Sequence, residues 1–422
     1  DTTLGTLVAT NATSGNIVVQ ETSGLIIGGT GVRTLGGNGN INVDVTAGAL
    51  AVNSVVTANG SGTVTLNAGG LLTADAVISS TSGALSLTGG TGVTHTANGD
   101  LTTGTTGTIG VTATTGDITM ADGTVYTTGS GTVTLLAGTN VVLGEITTTS
   151  SAINVTATAG AITDTTAAET ANLTTSGTAT LAAATGIGSA GGAADIDTTL
   201  GTLVATNATS GNIVITDTDG ISVSGSNAGG GSFNVTAGGV NTLTVNAGNL
   251  TANTGAVTLQ ADEMTLTGTV TGNGGVTLRP NTATTVITLG TGAAGLNFTD
   301  AALDQVFTTG TLTIGADTAP AAGSITVDAA VQANNATNIA LVTGGDITFA
   351  AAGALTSGGA VTLTANSGAV VGNNGATTNV TGTTLTIGAA TGIGAADKLT
   401  TAVTTLVATN ATSGNIVVQE TS

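Results

Sequence analysis

Apolar and polar positions alternate in short bursts along nearly the whole chain. The commonest unit is a triplet of apolar, small polar and apolar residues: Ile41-Asn-Val43, Val64-Thr-Leu66, Leu85-Ser-Leu87, Ile109-Gly-Val111, Val133-Thr-Leu135 and Ile153-Asn-Val155. The pattern continues through Phe233-Asn-Val235, Val257-Thr-Leu259, Val276-Thr-Leu278, Leu312-Thr-Ile314, Ile325-Thr-Val327, Ile347-Thr-Phe349, Val361-Thr-Leu363 and Leu385-Thr-Ile387. Alternation at period two puts both apolar side chains on one face of an extended segment, so each triplet predicts a short strand with one buried face. Gly, Asn, Asp and Ser flank the triplets and supply turns. The strongest helical signal, Thr299 to Phe307, predicts one capped turn inside a loop.

From Ile41 to Ile153, successive strong triplets begin 23, 21, 24, 24 and 20 residues apart. A step of that size is one coil of a parallel β-helix, each coil stacked on the last at about 4.8 Å. Weaker triplets such as Ile118-Thr-Met120 and Met264-Thr-Leu266 fall between and predict the second and third faces of the coil. Antiparallel hairpins would favour two-residue turns between longer alternating runs. Here strands of three to five residues are separated by irregular Gly/Thr/Ala stretches. The predicted fold class is all-β, a parallel β-solenoid of about 20–24 residues per coil. About twenty such coils would form a rod of roughly 95 Å.

A second, longer period lies over the first. Residues 7–23 read LVATNATSGNIVVQETS and recur letter for letter at 406–422, with a middle copy, LVATNATSGNIVI, at 203–215. Leu7, Leu203 and Leu406 define unit lengths of 196 and 203 residues. The lead-in AATGIG precedes the second and third copies. Super-repeat 1 therefore spans 1–196, super-repeat 2 spans 197–399, and 400–422 starts a third copy. Identical sequence at both ends, and a start at Asp1 with no signal-like segment, lead us to expect a window from a longer array whose copies continue or join end to end.

Composition narrows the partners. Aromatic residues are 1% of the chain, and the 40% hydrophobic share rests on small and β-branched side chains that suit thin stacked strands. Charged residues are only 6%, so Thr, Ser and Asn are expected to wet the surface. Arg33, Arg279 and Lys398 face 23 Asp plus Glu, a net charge of −20, which argues against nucleic acid and anionic membrane as partners. No apolar run is long enough for a membrane helix, so no membrane insertion is expected. Cysteine is absent, and with it disulfide and thiol chemistry.

Candidate chemistry is sparse. His95 is the only histidine, with Asp117 lying 22 residues on and Asp122 just beyond. A carboxylate one coil from an imidazole would be the seed of a polysaccharide-cleaving site, but no base, ring or second acid joins the pair. His95 is expected in a surface turn. Gly186 to Gly191 spells GxGxxG without the strand–helix context of a dinucleotide site, and Lys398 beside Asp397 makes no phosphate loop. Asp217-Thr-Asp219-Gly220 sets two carboxylates beside a turn glycine, oxygen ligands of the kind calcium takes, so calcium is the one ion to consider. The expected catalytic, cofactor and metal residues are none. Thr pairs such as Thr63/Thr65, Thr132/Thr134 and Thr362/Thr364 read as outward β-formers able to hydrogen-bond between coils, with an ordered-water, ice-binding face as the alternative. Sequons such as Asn11-Ala-Thr13 and Asn154-Val-Thr156 carry little information in so Asn- and Thr-rich a chain.

Thr-rich triplet coils are joined by Ala184-Thr-Gly-Ile-Gly188 leading into Leu200-Gly-Thr-Leu-Val-Ala-Thr206, and by Ser210-Gly-Asn-Ile-Val214. Asp304 to Gly315 followed by Gly323-Ser-Ile-Thr-Val-Asp328 has the same character. In these residues the chain resembles the filamentous-haemagglutinin-type repeat adhesins and related giant bacterial surface proteins. The resemblance implies a right-handed β-helical shaft at the bacterial cell surface or outside the cell. The function expected is a non-enzymatic structural shaft of a fibre, sheath or adhesin, whose partner is itself, end to end or side by side. The alternative is an adhesin segment that binds a glycan or protein on a solenoid face. A glycan-cleaving β-helix enzyme is the third reading.

Overall fold

All the triplets named above are strands with both apolar ends buried. The computed structural model describes residues 4–164, 170–190, 194–291, 295–372, 375, 377–394 and 397–421. The chain divides into two compact units, Asp1–Thr216 and Asp217–Ser422. Each is a stretch of parallel β-solenoid, and together they make about 17 turns of about 23 residues.

In the first unit three parallel ladders run from coil to coil. The first ladder stacks Ile17, Ile41, Val64, Leu85, Ile109, Val133, Ile153, Ala179 and Leu203 in register. Its rungs reproduce the spacing read from the triplets. The second ladder stacks Leu25, Leu50, Leu72, Val93, Ile118, Val141, Ile162, Ile187 and Ile213. The third includes Val32, Val56, Ile78, Leu101, Tyr126, Ile146 and Leu173. The weaker triplet Ile118-Thr-Met120 thus lies on the second face, as its position between strong triplets predicts.

Apart from Ile17, which is half-buried, the inward positions on these ladders are almost fully buried. Burying each aliphatic side chain is worth about 1.5–3 kcal/mol, which offsets the cost of ordering the extended backbone. Outward positions are mixed. Above Asn42 on the first face come Thr65, Ser86, Gly110, Thr134, Asn154 and Thr180.

One corner of the coil requires glycine in successive turns. Gly39, Gly62, Gly83, Gly107 and Gly131 each stand two residues before a first-ladder rung. A Cβ on any of them would meet the carbonyl oxygen of the glycine one coil below. Only glycine lets the backbones approach that closely. Buried hydroxyls line the inside of this corner: Ser80 Oγ donates to the Gly62 carbonyl and Thr103 Oγ1 to that of Gly83, both at 2.7 Å. Thr128 Oγ1 donates to the Gly131 carbonyl, also at 2.7 Å. Part of the Thr and Ser expected to wet the surface is therefore inside, where it satisfies carbonyls that no strand pairs.

The second unit has a corresponding ladder of Phe233, Val257, Val276, Leu312, Ile339, Val361, Leu385 and Leu406. Another face is a separate parallel sheet of Val286–Gly290, Ser324–Val327, Ile347–Phe349 and Val370–Val371, with Leu296–Thr299 on its outer side. The coil between Val276 and Leu312 takes 36 residues, and excursions of this kind bring the turn count below the twenty expected. Within it lies the only α-helix among the described residues, Asp300–Leu303, capped by Thr299 as its sequence predicts. Among the described residues no helix is long and apolar enough to cross a membrane. Strands reaching 12 residues, such as Ile196–Asn207 and Leu399–Asn410, exceed the expected three to five because they bend round a corner without breaking.

Candidate functional site

The structure separates the residues that sequence placed together as a catalytic seed. His95 ends the second-face strand Gly92–His95 and points inward, in a column between Ala74 and Met120. It is fully buried, so the surface turn expected for it is wrong. The residue sits at an inward position of a period-two strand, a pattern that Gly92-Val-Thr-His conceals by ending on a polar side chain. His95 Nδ1 lies 2.6 Å from the Gly99 carbonyl, and the ring meets Tyr126 edge-on at 5.2 Å. Burial drives its pKa down from 6.5 to about 4, against opposing contributions from the Gly99 carbonyl and Asp100.

Asp117 lies at the corner of the coil above and turns outward. Its Oδ1 accepts from the Thr139 hydroxyl and from Asn140 N and Nδ2, at 2.8 and 3.0 Å for the two nitrogens. The Thr139 hydroxyl, then the Asn140 amide, hold this carboxyl below the usual range. Imidazole and carboxylate are thus on opposite sides of the coil wall, and Asp122 is exposed.

Tyr126 Oη and His95 Nε2 are both buried without a protein hydrogen-bond partner. An unpaired buried hydroxyl adds nothing to stability. Tyr126→Phe is therefore expected to leave stability unchanged or raise it by up to about 1 kcal/mol, read by urea unfolding. A loss larger than that would show the hydroxyl to be bonded in solution.

The glycine motif proves to be a corner. Ile187 bridges Ile162 and Ile213 between Gly186 and Gly188, and Ile393 bridges Val370 and Ile416 between Gly392 and Gly394. The flanking φ values nearly match in the two copies, +129° and +62° against +129° and +67°. Such angles favour glycine. Gly191, the last position of GxGxxG, lies outside the described residues. Lys398 is exposed, and Asp397 Oδ2 accepts from Gly375 N at 3.1 Å.

Asp217 and Asp219 do not converge. Asp217 is buried, with Oδ1 accepting from Asp219 N at 3.2 Å, while Asp219 is exposed. Asp217 stands where the first copy has Glu21 and the third has Glu420. Glu21 accepts from Leu4 N at 2.7 Å and from Thr22 N and Ser23 N, while Glu420 accepts from Val403 N and Thr421 N. The acid of the repeat thus ties backbone amides at a corner. No group of three or more His, Cys, Asp or Glu gathers elsewhere among the described residues.

The repeated segment contains a built feature that composition did not reveal. In the second copy Asn207 is buried, its Nδ2 donating to the Ser210 and Gly211 carbonyls at 2.7 and 3.1 Å. Its Oδ1 accepts from Gly186 N at 2.9 Å. Asn410 repeats the first two bonds on Ser413 and Gly414, and Asn11 Nδ2 reaches the Gly15 carbonyl. The asparagine of this sequon is spent on holding an arc of five exposed residues, 208–212. Asn207→Ala should cost about 1–2 kcal/mol in thermal unfolding, because two carbonyls and an amide lose their partner. An unchanged midpoint would show that the arc holds itself.

The excursion in the second unit leaves a surface depression of about 410 Å³, lined by Met264, Leu266, Asn297, Thr299, Ala302 and Gln305. It is uncharged and not tied to a titratable group. In comparisons with known proteins, the chain matches no family model, no curated protein and no solved structure.

Proposed function

We propose that this chain is a length of non-enzymatic shaft from a long extracellular bacterial fibre, sheath or adhesin. The observation that carries the reading is the first ladder of the first unit, unbroken from Ile17 to Leu203, with an aliphatic side chain at every rung. Such a stack gives each coil its stability from its neighbours, so length is gained by adding coils. The separation of His95 from Asp117, the inward turn of Asp217 and the corner role of both Gly-Ile-Gly segments support mechanical rather than chemical use. The partner in this reading is the chain itself, end to end or side by side, and calcium has no part in it.

Electron microscopy and force spectroscopy of arrays with two, four and six long repeats would test the shaft. Contour length should grow in proportion to repeat number, and the rods should bear load without stepwise loss of whole units at low force. Compact particles, or hydrolysis of a polysaccharide that disappears in His95→Ala, would sink the reading. The depression beside the helix favours a second reading, in which this segment of an adhesin binds a glycan or protein directly. Retention on a glycan array that is lost on Gln305→Ala and Asn297→Ala would favour it.

A further inference from the structure

The long repeat and the coil do not share a period, and the first unit shows by how much they differ. Ile17 of the first copy lies on the first ladder, eight rungs below Leu203 of the second copy. Ile213, the counterpart of Ile17, is not on that ladder. It stands on the second, bridged through Ile187 to Ile162. The shift holds for the other half of the segment: Ala9 pairs with Val32 on the third face, while its counterpart Ala205 pairs with Leu181 on the first. The same letters occupy a face one further round the coil.

We infer that the long repeat is a screw element, advancing the solenoid by eight turns and one face per copy. In the second unit the long ladder ends on Leu406 of the third copy, as the first ladder ends on Leu203 of the second, and Ile416 stands off that ladder, bridged through Ile393 to Val370. The feature carried round in the first unit is the arc 12–16 and 208–212, exposed in both copies and pinned by Asn11 and Asn207; the third copy has the same exposed arc at 411–415, pinned by Asn410. It presents two hydroxyls and an amide, and no charge. Had the repeat been a whole number of turns, every arc would lie along one side and lateral contacts would be confined to a single plane. With one face of advance, the two arcs of the first unit, 12–16 and 208–212, point to different sides. This inference rests on the shaft reading and specifies how a shaft meets neighbours on more than one side.

The chain has no cysteine, so single labels can be placed at will. Ser14→Cys with Ser210→Cys, biotinylated and decorated with monovalent streptavidin, would be imaged by electron microscopy. The two labels should sit about 38 Å apart along the axis, at eight coil spacings, and a third of a turn apart around it. Asn42→Cys with Thr180→Cys, two outward positions on the first face, is the reference pair and should appear on one side. Arc labels on the same side as each other, with the reference pair also aligned, would overturn the screw alone. A reference pair in no fixed relation would overturn the ladder itself, and the shaft reading with it. The same test with Thr13→Cys and Thr209→Cys covers loss of either serine variant.

Discussion

Gly131→Ala is expected to destabilise the first unit by about 2–3 kcal/mol, lowering its thermal midpoint by about 5–10 °C. The added methyl would lie inside the contact distance of the Gly107 carbonyl oxygen one coil below. That oxygen cannot move aside: Gly107 is itself packed on Gly83, and the Thr103 hydroxyl lies against it. Relief requires the corner to open, and opening would pull Val133 out of register with Ile109. The control is in the strand that follows Gly107. Gly110 faces outward on the first face, and a Cβ there would meet nothing nearer than the Leu85 carbonyl at 4.0 Å. Gly110→Ala should leave stability unchanged or raise it by about 0.5 kcal/mol through the unfolded chain. Circular dichroism melts of the full chain would measure both, and equal midpoints for the two variants would sink the close-contact account.

The second large effect is set by acid. His95 is neutral in the folded coil, with its pKa depressed to about 4, whereas the unfolded chain takes up a proton near 6.5. As pH falls through that window the unfolded state gains protons that the folded state does not, so stability contributed by neutral His95 is lost between 6.5 and about 4. The whole loss is about 3 kcal/mol. Below the folded value both states are protonated and this dependence ends. Carboxylates titrate in the lower part of the window, so the effect is read as a difference against His95→Met, which keeps the inward volume beside Ala74 and Met120 without a titrating ring. Urea midpoints at pH 7 and pH 4.5 should fall further in the native chain than in the variant. His95 is the only histidine, so its imidazole resonance can also be titrated directly. A value near 6.5 would mean that the ring is hydrated.

The architecture could be read before any coordinates because a solenoid is a local fold. Each coil needs only a period-two strand, a turn and a neighbour at constant spacing, and all three are visible in Ile41-Asn-Val43, Val64-Thr-Leu66 and their successors. The capped turn at Thr299 was legible for the same reason, since a helix start depends on four adjacent residues. Tertiary structure decided what depends on the third face and on the coil below. His95 went inside because its strand ends one residue beyond the apolar pattern, and Asp117 went outside at the next corner. Thr103 and Thr128 became interior donors because glycine carbonyls at the corner need them. The two periods, about 23 and about 200 residues, were both explicit in the letters. Their mismatch of one face was not, since the length of a coil varies with each turn and only the rungs from Ile17 to Leu203 count the turns.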